Sequence, residues 1–445
     1  MLTARAATVI GSRPRLPRRM FVPAPSRDVL VRTSLRWSPA LIVAGMGIPA
    51  IALRLSDADL SAAAAVGIFG LGILAAAMLL GGASEAAQHD IPPSLSIAVL
   101  AFVAVLPEYA IDLLFAWRAA DDPEQARFAI ANMTGGNRLL LGVGWSAVLL
   151  AYIARNKFVL GHPSRVLELP RTISLEVVAM GAATIVAFAI PLAGNINLIV
   201  SAVLLLIFGT YLYRAAKQPV EAPEIGGPAE MVTQLPRWRR RVVIIGLFAF
   251  SAGVIVASAE PFADGLIALG ESIGVDEFLL VQWLAPLASE SPEFLAAMYL
   301  VWRGAARYGM TALISSKVNQ FTLLIASLPI AFSISGGTLD GLPMDGRQQG
   351  EVLLTAAQSL FGIMLVLDKR MSLGAGVILL SLFLAQFALT DSTVRLGFAV
   401  VYLVLAGGLL LRRYRLIPDV VREAFGGHPL TEPEDASTPT ADRSG

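Results

Sequence analysis

Apolar residues along this chain come in long runs rather than in the short alternating stripes of a soluble domain. A window of about 19 residues finds them near 37–55, 60–82, 91–117, 128–153, 172–192, 195–213, 242–259, 278–302, 311–333, 350–367, 372–390 and 394–411. Each is long enough for a helix to cross a hydrocarbon layer of about 30 Å. The pattern predicts an all-α polytopic membrane protein with about 12 transmembrane helices. The polar stretches between the runs alternate in sign. Arg155, Lys157, Arg165 and Arg171, then Arg214, Lys217 and Arg237 to Arg241, then Arg303 and Arg307, Lys369 and Arg370, and Arg412 to Arg415 mark one face. Asp57 and Asp59, the stretch DDPEQ at 121–125, Glu271 with Asp276 and Glu277, Asp340 with Asp345, and Asp391 mark the other. Because basic loops stay in the cytoplasm, both termini are predicted there, in a multi-pass protein of the cell membrane.

Two of the runs are interrupted by a proline and an acid, and the two interruptions match each other. LPEYAIDLLFAWR at 106–118 aligns with SPEFLAAMYLVWR at 291–303, pairing Pro107 with Pro292, Glu108 with Glu293, Trp117 with Trp302 and Arg118 with Arg303. Self-similarity at this spacing marks an internal duplication. With five runs in each half, the second copy enters the membrane from the opposite side, so the fold expected is two inverted five-helix repeats plus flanking helices. The chain then divides into a basic cytoplasmic tail (1–36), an extra helix (37–59), a first repeat (60–215), a cytoplasmic linker (216–240), a second repeat (241–391), an extra helix (392–415) and a disordered cytoplasmic tail (416–445). Each proline is expected to break its helix beside the acid. The span near 242–259 is expected to end at Glu260, Pro261 and Asp264, and Trp117 and Trp302 to anchor opposite interfaces.

Composition narrows the class further. Hydrophobic residues make up 56% of the chain, charged residues 15%, and mean hydropathy is +0.69. A formal net charge of +1 gives no field for nucleic acid. The chain has no cysteine, which removes disulfides, thiolate metal sites and cysteine nucleophiles, and its three histidines, His89, His162 and His428, are far apart. No phosphate-binding loop or HExxH motif is present, so an enzyme or ATP-driven pump is not indicated and transport would draw on an ion gradient.

Each acid-bearing segment is followed by a second polar interruption: ANMTGGNRLLLG, with Asn132, Thr134, Gly135, Gly136 and Asn137, and SSKVNQFTLL, with Ser315, Ser316, Lys317, Asn319, Gln320 and Thr322. Amide, hydroxyl and backbone oxygens replace the hydration shell of Na⁺ or Ca²⁺, and carboxylates balance the charge. Charged groups at this depth are functional candidates by default. These residues resemble the Ca²⁺/cation antiporter superfamily, the sodium/calcium exchanger-like membrane proteins. The likeness rests on LPE at 106–108 with GGN at 135–137, and on SPE at 291–293 with VNQFT at 318–322.

The resemblance implies that Glu108, Asn137, Glu293 and Asn319 coordinate the transported cation. Asn132 matches the family's earlier asparagine, whose second-repeat counterpart here is Ile314. The family's GTSLPE is VAVLPE in the first repeat and ASESPE in the second, so hydroxyls are lost from one while the other keeps Ser289 and gains Glu290. Asp112 adds a carboxylate one turn beyond Glu108. Lys317 stands where the family has a small residue, and Arg138 follows Asn137 directly. The implied function is secondary active antiport of Ca²⁺, Na⁺ or a similar cation against Na⁺ or H⁺, without a cofactor, its partners being inorganic cations and the bilayer. The alternative is a sodium/proton or other cation/proton antiporter in which Lys317 replaces a bound sodium ion. Lys317 and Arg138 serve either as counter-charges to the acids or as fixed structural ion pairs. Basic residues beside the acids oppose a free-flowing cation channel. Oligomeric state is left open.

Overall fold

The computed structural model describes residues 27–56, 59–87, 90, 106–161, 164–217 and 228–426, with side chains withheld at 27–41 and 228–230. The first part of the basic tail, the apolar run from 91 to 105, all three histidines, the linker from 218 to 227 and the tail from 427 lie outside the described residues.

The chain is mostly helical. In order, the helices are α1 (Arg27–Ser56), α2 (Ala62–Ala87), α3 (Leu106–Arg118), α4 (Gln125–Phe158), α5 (Ser174–Ala193), α6 (Leu198–Ala215), α7 (Pro228–Thr233), α8 (Arg237–Ile273), α9 (Glu277–Arg303), α10 (Ala306–Gly336), α11 (Gly346–Val366), α12 (Leu373–Ala388), α13 (Ser392–Arg413) and α14 (Ile417–Phe425). Among the described residues, eight helical segments are long and apolar enough to cross a membrane. Short polar caps fix where several helices begin. Asp345 and Gln348 form a reciprocal capping box on α11, and Asn197, Asp276, Ser372 and Asp391 accept from the first-turn amides of α6, α9, α12 and α13. The α9–α10 turn passes through Gly304 at φ 95°, a conformation that side chains with a Cβ rarely adopt.

Four two- or three-residue strands, β1 (Val166–Glu168), β2 (Asn195–Ile196), β3 (Leu342–Pro343) and β4 (Arg370–Ser372), tie loops of the two halves together. β1 pairs antiparallel with β4, and β2 with β3. Thus the strand before α5 meets the strand after α11, and the strand after α5 meets the strand before α11. Helix packing shows the same exchange: α3 lies against α4 and α10, and α9 lies against α10 and α4. The small residues of α2 permit close approach to its neighbours, with Gly70 against Phe262 of α8 and Gly72 against Ala50 of α1.

Several boundaries differ from the expectation. Pro292 and Pro286 do not break α9, which runs continuously through both. A proline removes one amide donor, here leaving the Gln282 and Ala288 carbonyls without their usual helical partners, while the Ser289 and Ser291 hydroxyls donate to neighbouring carbonyls, Ser289 to Ala285 and Ser291 to Leu287. Pro107 is the second described residue of α3, and the expectation that it breaks the apolar run from 91 falls partly on 91–105, outside the described residues. The irregular turns lie instead in the crossing helices. α4 widens to a π-helix at Leu140–Trp145, directly after Asn137 and Arg138, and α10 does so at Gln320–Leu324, directly after Asn319. π-turns shift the helix register and recur at functional sites. α8 continues through Pro261 to Ile273 rather than ending near 259, since Glu260 and Asp264 are partnered by arginines. Residues 417–425, expected as disordered tail, form an amphipathic helix that packs on α5 and presents Glu423 to Ser174 and Lys369.

Candidate functional site

α3, α4, α9 and α10 enclose a buried polar cluster. α3 contributes Glu108 and Asp112, α9 contributes Ser289, Glu290 and Glu293, α4 contributes Asn132, Asn137 and Arg138, and α10 contributes Lys317, Asn319 and Gln320. All are buried except Glu293, which is half-buried. Glu290 is the junction. It lies beside both Glu108 and Glu293, and Gln320 donates to its Oε1. The helices approach this closely because α4 carries two glycines there. A Cβ on Gly136 would stand 3.0 Å from Glu108 Oε1 and 3.6 Å from Glu290 Oε1. A Cβ on Gly135 would stand 1.7 Å from the Gln282 carbonyl oxygen. That carbonyl is four residues before Pro286 and so lacks its usual helical amide partner.

Asp112 and Asn132 lie side by side. Glu108 Oε1, both Asp112 oxygens, Asn132 Oδ1 and Glu290 Oε2 accept no hydrogen bond among the described residues. Buried polar atoms are rarely left this way, and all five are hard oxygen donors of the kind that suit Na⁺ or Ca²⁺. They are strung along the helices rather than gathered into a cage: among the described residues no three acidic or imidazole side chains converge as a metal-holding group.

Lys317 Nζ donates to Asn137 Oδ1 at 2.7 Å and to the Asn137 backbone oxygen at 3.0 Å, with its ammonium 4.3 Å above the Phe321 ring. Glu108 and Glu290 are the carboxylates whose charge it feels most. Asn137 Nδ2 is taken as well, donating to Met133 O at 2.8 Å. The amide offered by the sequence as a cation ligand is therefore occupied by the protein's own ammonium. Ser289 turns its hydroxyl back to Ala285 and Pro286 at 3.3 and 3.4 Å. Asn319 is buried at the end of the regular part of α10.

Arg138 does not pair with this cluster. Its guanidinium forms an ion pair with Glu351 of α11 at 2.6 Å, and Arg395 of α13 pairs with the other oxygen of the same carboxylate. Gln282 bridges the two groups of residues, donating to Glu351 Oε2 at 2.9 Å and to Thr134 Oγ1 at 3.3 Å. Glu351 and Arg395 were not singled out in the sequence, although each is a charge inside an apolar run, the same signal that marks Glu108. Gln282 carried no such signal, because its role depends on contact between helices.

The two long matches of the sodium/calcium exchanger protein family model fall on residues 60–217 and 243–390, together more than half of the chain. The chain therefore belongs to the sodium/calcium exchanger family of multi-pass membrane cation antiporters. Among solved structures, one titled as the H⁺/Ca²⁺ exchanger CAX shares 38% sequence identity, covers 87% of this chain and 97% of its own, and superposes with a TM-score of 0.84. A second, titled as the Ca²⁺/H⁺ antiporter protein YfkE, has 16% identity, covers 84% and 99%, and has a TM-score of 0.56, a likeness of fold alone. A search of curated proteins finds no match.

Proposed function

We propose that this antiporter exchanges Ca²⁺ against H⁺ by alternating access at a midplane site built from Glu108, Asp112, Asn132, Glu290 and Glu293, with Ser289 and Asn319 beside it. The observation that carries this reading is the charge balance of the cluster. Four neighbouring carboxylates face one lysine. Buried charges persist only when they are balanced, and the surplus can be met by protons or by a divalent cation, the two species that would then trade places. Lys317 holding Asn137 removes a ligand and adds a charge where a sodium ion would otherwise sit, which favours protons over sodium as the counter-ion. The 38% identity to a protein titled H⁺/Ca²⁺ exchanger agrees with this.

Alternating access in this reading rests on two inverted five-helix repeats with flanking helices, about 12 spans in all, and both termini in the cytoplasm. The family matches at 60–217 and 243–390, the exchanged strand pairs and the reciprocal packing of α3, α4, α9 and α10 support the repeat. This reading keeps the segments stated from the sequence, with α1 beginning at Arg27 inside the first and α14 added as a helix in the last. The test is Ca²⁺ uptake into sealed proteoliposomes under an imposed proton gradient or an imposed sodium gradient. The proton gradient should drive accumulation and the sodium gradient should not; the reverse outcome contradicts the assignment.

A further inference from the structure

Arg138, Glu351 and Arg395 form a buried group of two guanidiniums and one carboxylate, with α13 supplying a member from outside the family match that ends at 390. Apart from Lys317, whose ammonium feels the Arg138 charge, the groups in direct contact are neutral. Trp283 lies with its ring 5.1 Å from the Arg138 guanidinium and 5.6 Å from that of Arg395, Gln282 donates to Glu351, and Gln358 donates to the Arg138 backbone oxygen at 3.3 Å. Arg347, the next charge that Arg395 feels, is paired with Asp276 at 2.7 Å. The group therefore carries a fixed surplus of one positive charge. It sits one residue along α4 from Asn137, which holds Lys317, and two from Gly136, which touches Glu108 and Glu290.

Holding α13 in place does not require charge, because buried ion pairs are matched or exceeded in stability by apolar packing of similar volume. A fixed positive charge beside a cation site does something packing cannot: it weakens cation binding in proportion to the charge of the ion. A transport site benefits, since an ion held too tightly is not released. Resting on the exchanger reading above, we propose that the Arg138–Glu351–Arg395 group sets the site's affinity for divalent cations, with Arg395 as a positioning and charge-setting residue contributed by the last transmembrane helix.

The signs of the effects are fixed by charge. Arg395→Gln leaves a neutral Arg138–Glu351 pair and should lower the apparent KM for Ca²⁺ by roughly tenfold, the order expected when one unit charge near a divalent ion is removed from a medium of intermediate dielectric. Glu351→Gln leaves two positive charges and should raise KM. The double variant Glu351→Gln with Arg395→Gln restores the original surplus and should return KM toward the parent, as should Arg395→Lys. Proton-driven Ca²⁺ uptake in proteoliposomes, with KM separated from the maximal rate, reads all four. A purely structural group would lower the maximal rate in every variant and leave KM unordered by charge, and that result overturns the proposal. If one single variant fails to reach the membrane, the other single variant and the double decide, since a shift that the double does not reverse also overturns it. Exchange in the parent with unmoved KM in the variants refutes this inference alone, whereas a parent with no exchange under any gradient refutes the exchanger reading and this inference with it.

Discussion

Gly135→Ala tests whether close contact between α4 and α9 assembles the carboxylate cluster. The added methyl would stand 1.7 Å from the Gln282 carbonyl oxygen, 2.7 Å from its carbonyl carbon and 3.0 Å from its Cγ. Backbone cannot rotate away as a side chain can, so the helices must separate by about 1.5 Å to restore an ordinary contact distance. Overpacking of this kind costs about 1–3 kcal/mol or more, against a gain of about 1 kcal/mol from replacing glycine by alanine in a helix. Net destabilisation is expected, and Glu290, on the same face of contact, should move away from Glu108. Gly181→Ala in α5 is the control, because nothing lies within 4 Å of its added methyl, and only the propensity gain should remain. The assay is the thermal unfolding of detergent-solubilised protein together with Ca²⁺ uptake in proteoliposomes. Gly135→Ala should unfold at a lower temperature and transport poorly, while Gly181→Ala should be at least as stable as the parent and fully active. A Gly135→Ala protein with the parent's stability and uptake would refute the close packing and the assembly argument built on it.

Lys317→Gln should change which cations move, or the charge carried per cycle, rather than only slow the protein, as read from ion competition and from currents in vesicles held at a set potential; unchanged selectivity and charge would make Lys317 structural. Cysteines introduced singly at the exposed positions Asp121 and Arg307 of this cysteine-free chain should react with impermeant reagents from opposite faces of intact cells, and labelling of both from one face contradicts the inverted repeat. Asp90, just after α2, receives two hydrogen bonds from Arg240 at 2.7 and 2.9 Å, and these hold its pKa down to about 2. Because the folded value lies below the ordinary aspartate value near 4, the tie contributes fully above that value and is lost as pH falls from about 4 to about 2. Asp90→Asn should lower the unfolding temperature at pH 7 and make it less sensitive to acid in that window; an unchanged acid profile would refute the role of the pair.

The parts of this architecture that depend on local pattern were visible in the sequence. Apolar runs announced helices, and acids inside them pointed to a candidate site, because a charge in an apolar run is costly wherever the chain places it. The likeness of 106–118 to 291–303 pointed to the two helices that carry the carboxylates. What stayed hidden depends on partners distant in sequence. Arg138 was read beside Asn137, its chain neighbour, whereas its counter-charge Glu351 comes from another helix. Lys317 was expected among carboxylates and does feel Glu108 and Glu290, but the partner it bonds is the Asn137 amide, which the sequence had offered as a cation ligand. Pro292 was read as a break because sequence shows the lost amide and not the packing of α9 against α4 and α10 that keeps the helix continuous through it. The π-turns of α4 and α10 fall just beyond the polar interruptions the sequence displayed, and no residue type marks such a turn.

Coupling between Ca²⁺ and H⁺ is tested most directly by running the exchange backward. Proteoliposomes loaded with Ca²⁺ and a pH indicator, then diluted into sodium-free and calcium-free medium, should take up protons as Ca²⁺ leaves, acidifying the lumen, and Glu108→Gln should abolish both movements. Calcium efflux without luminal acidification, or the same coupled flux in Glu108→Gln, would contradict the account.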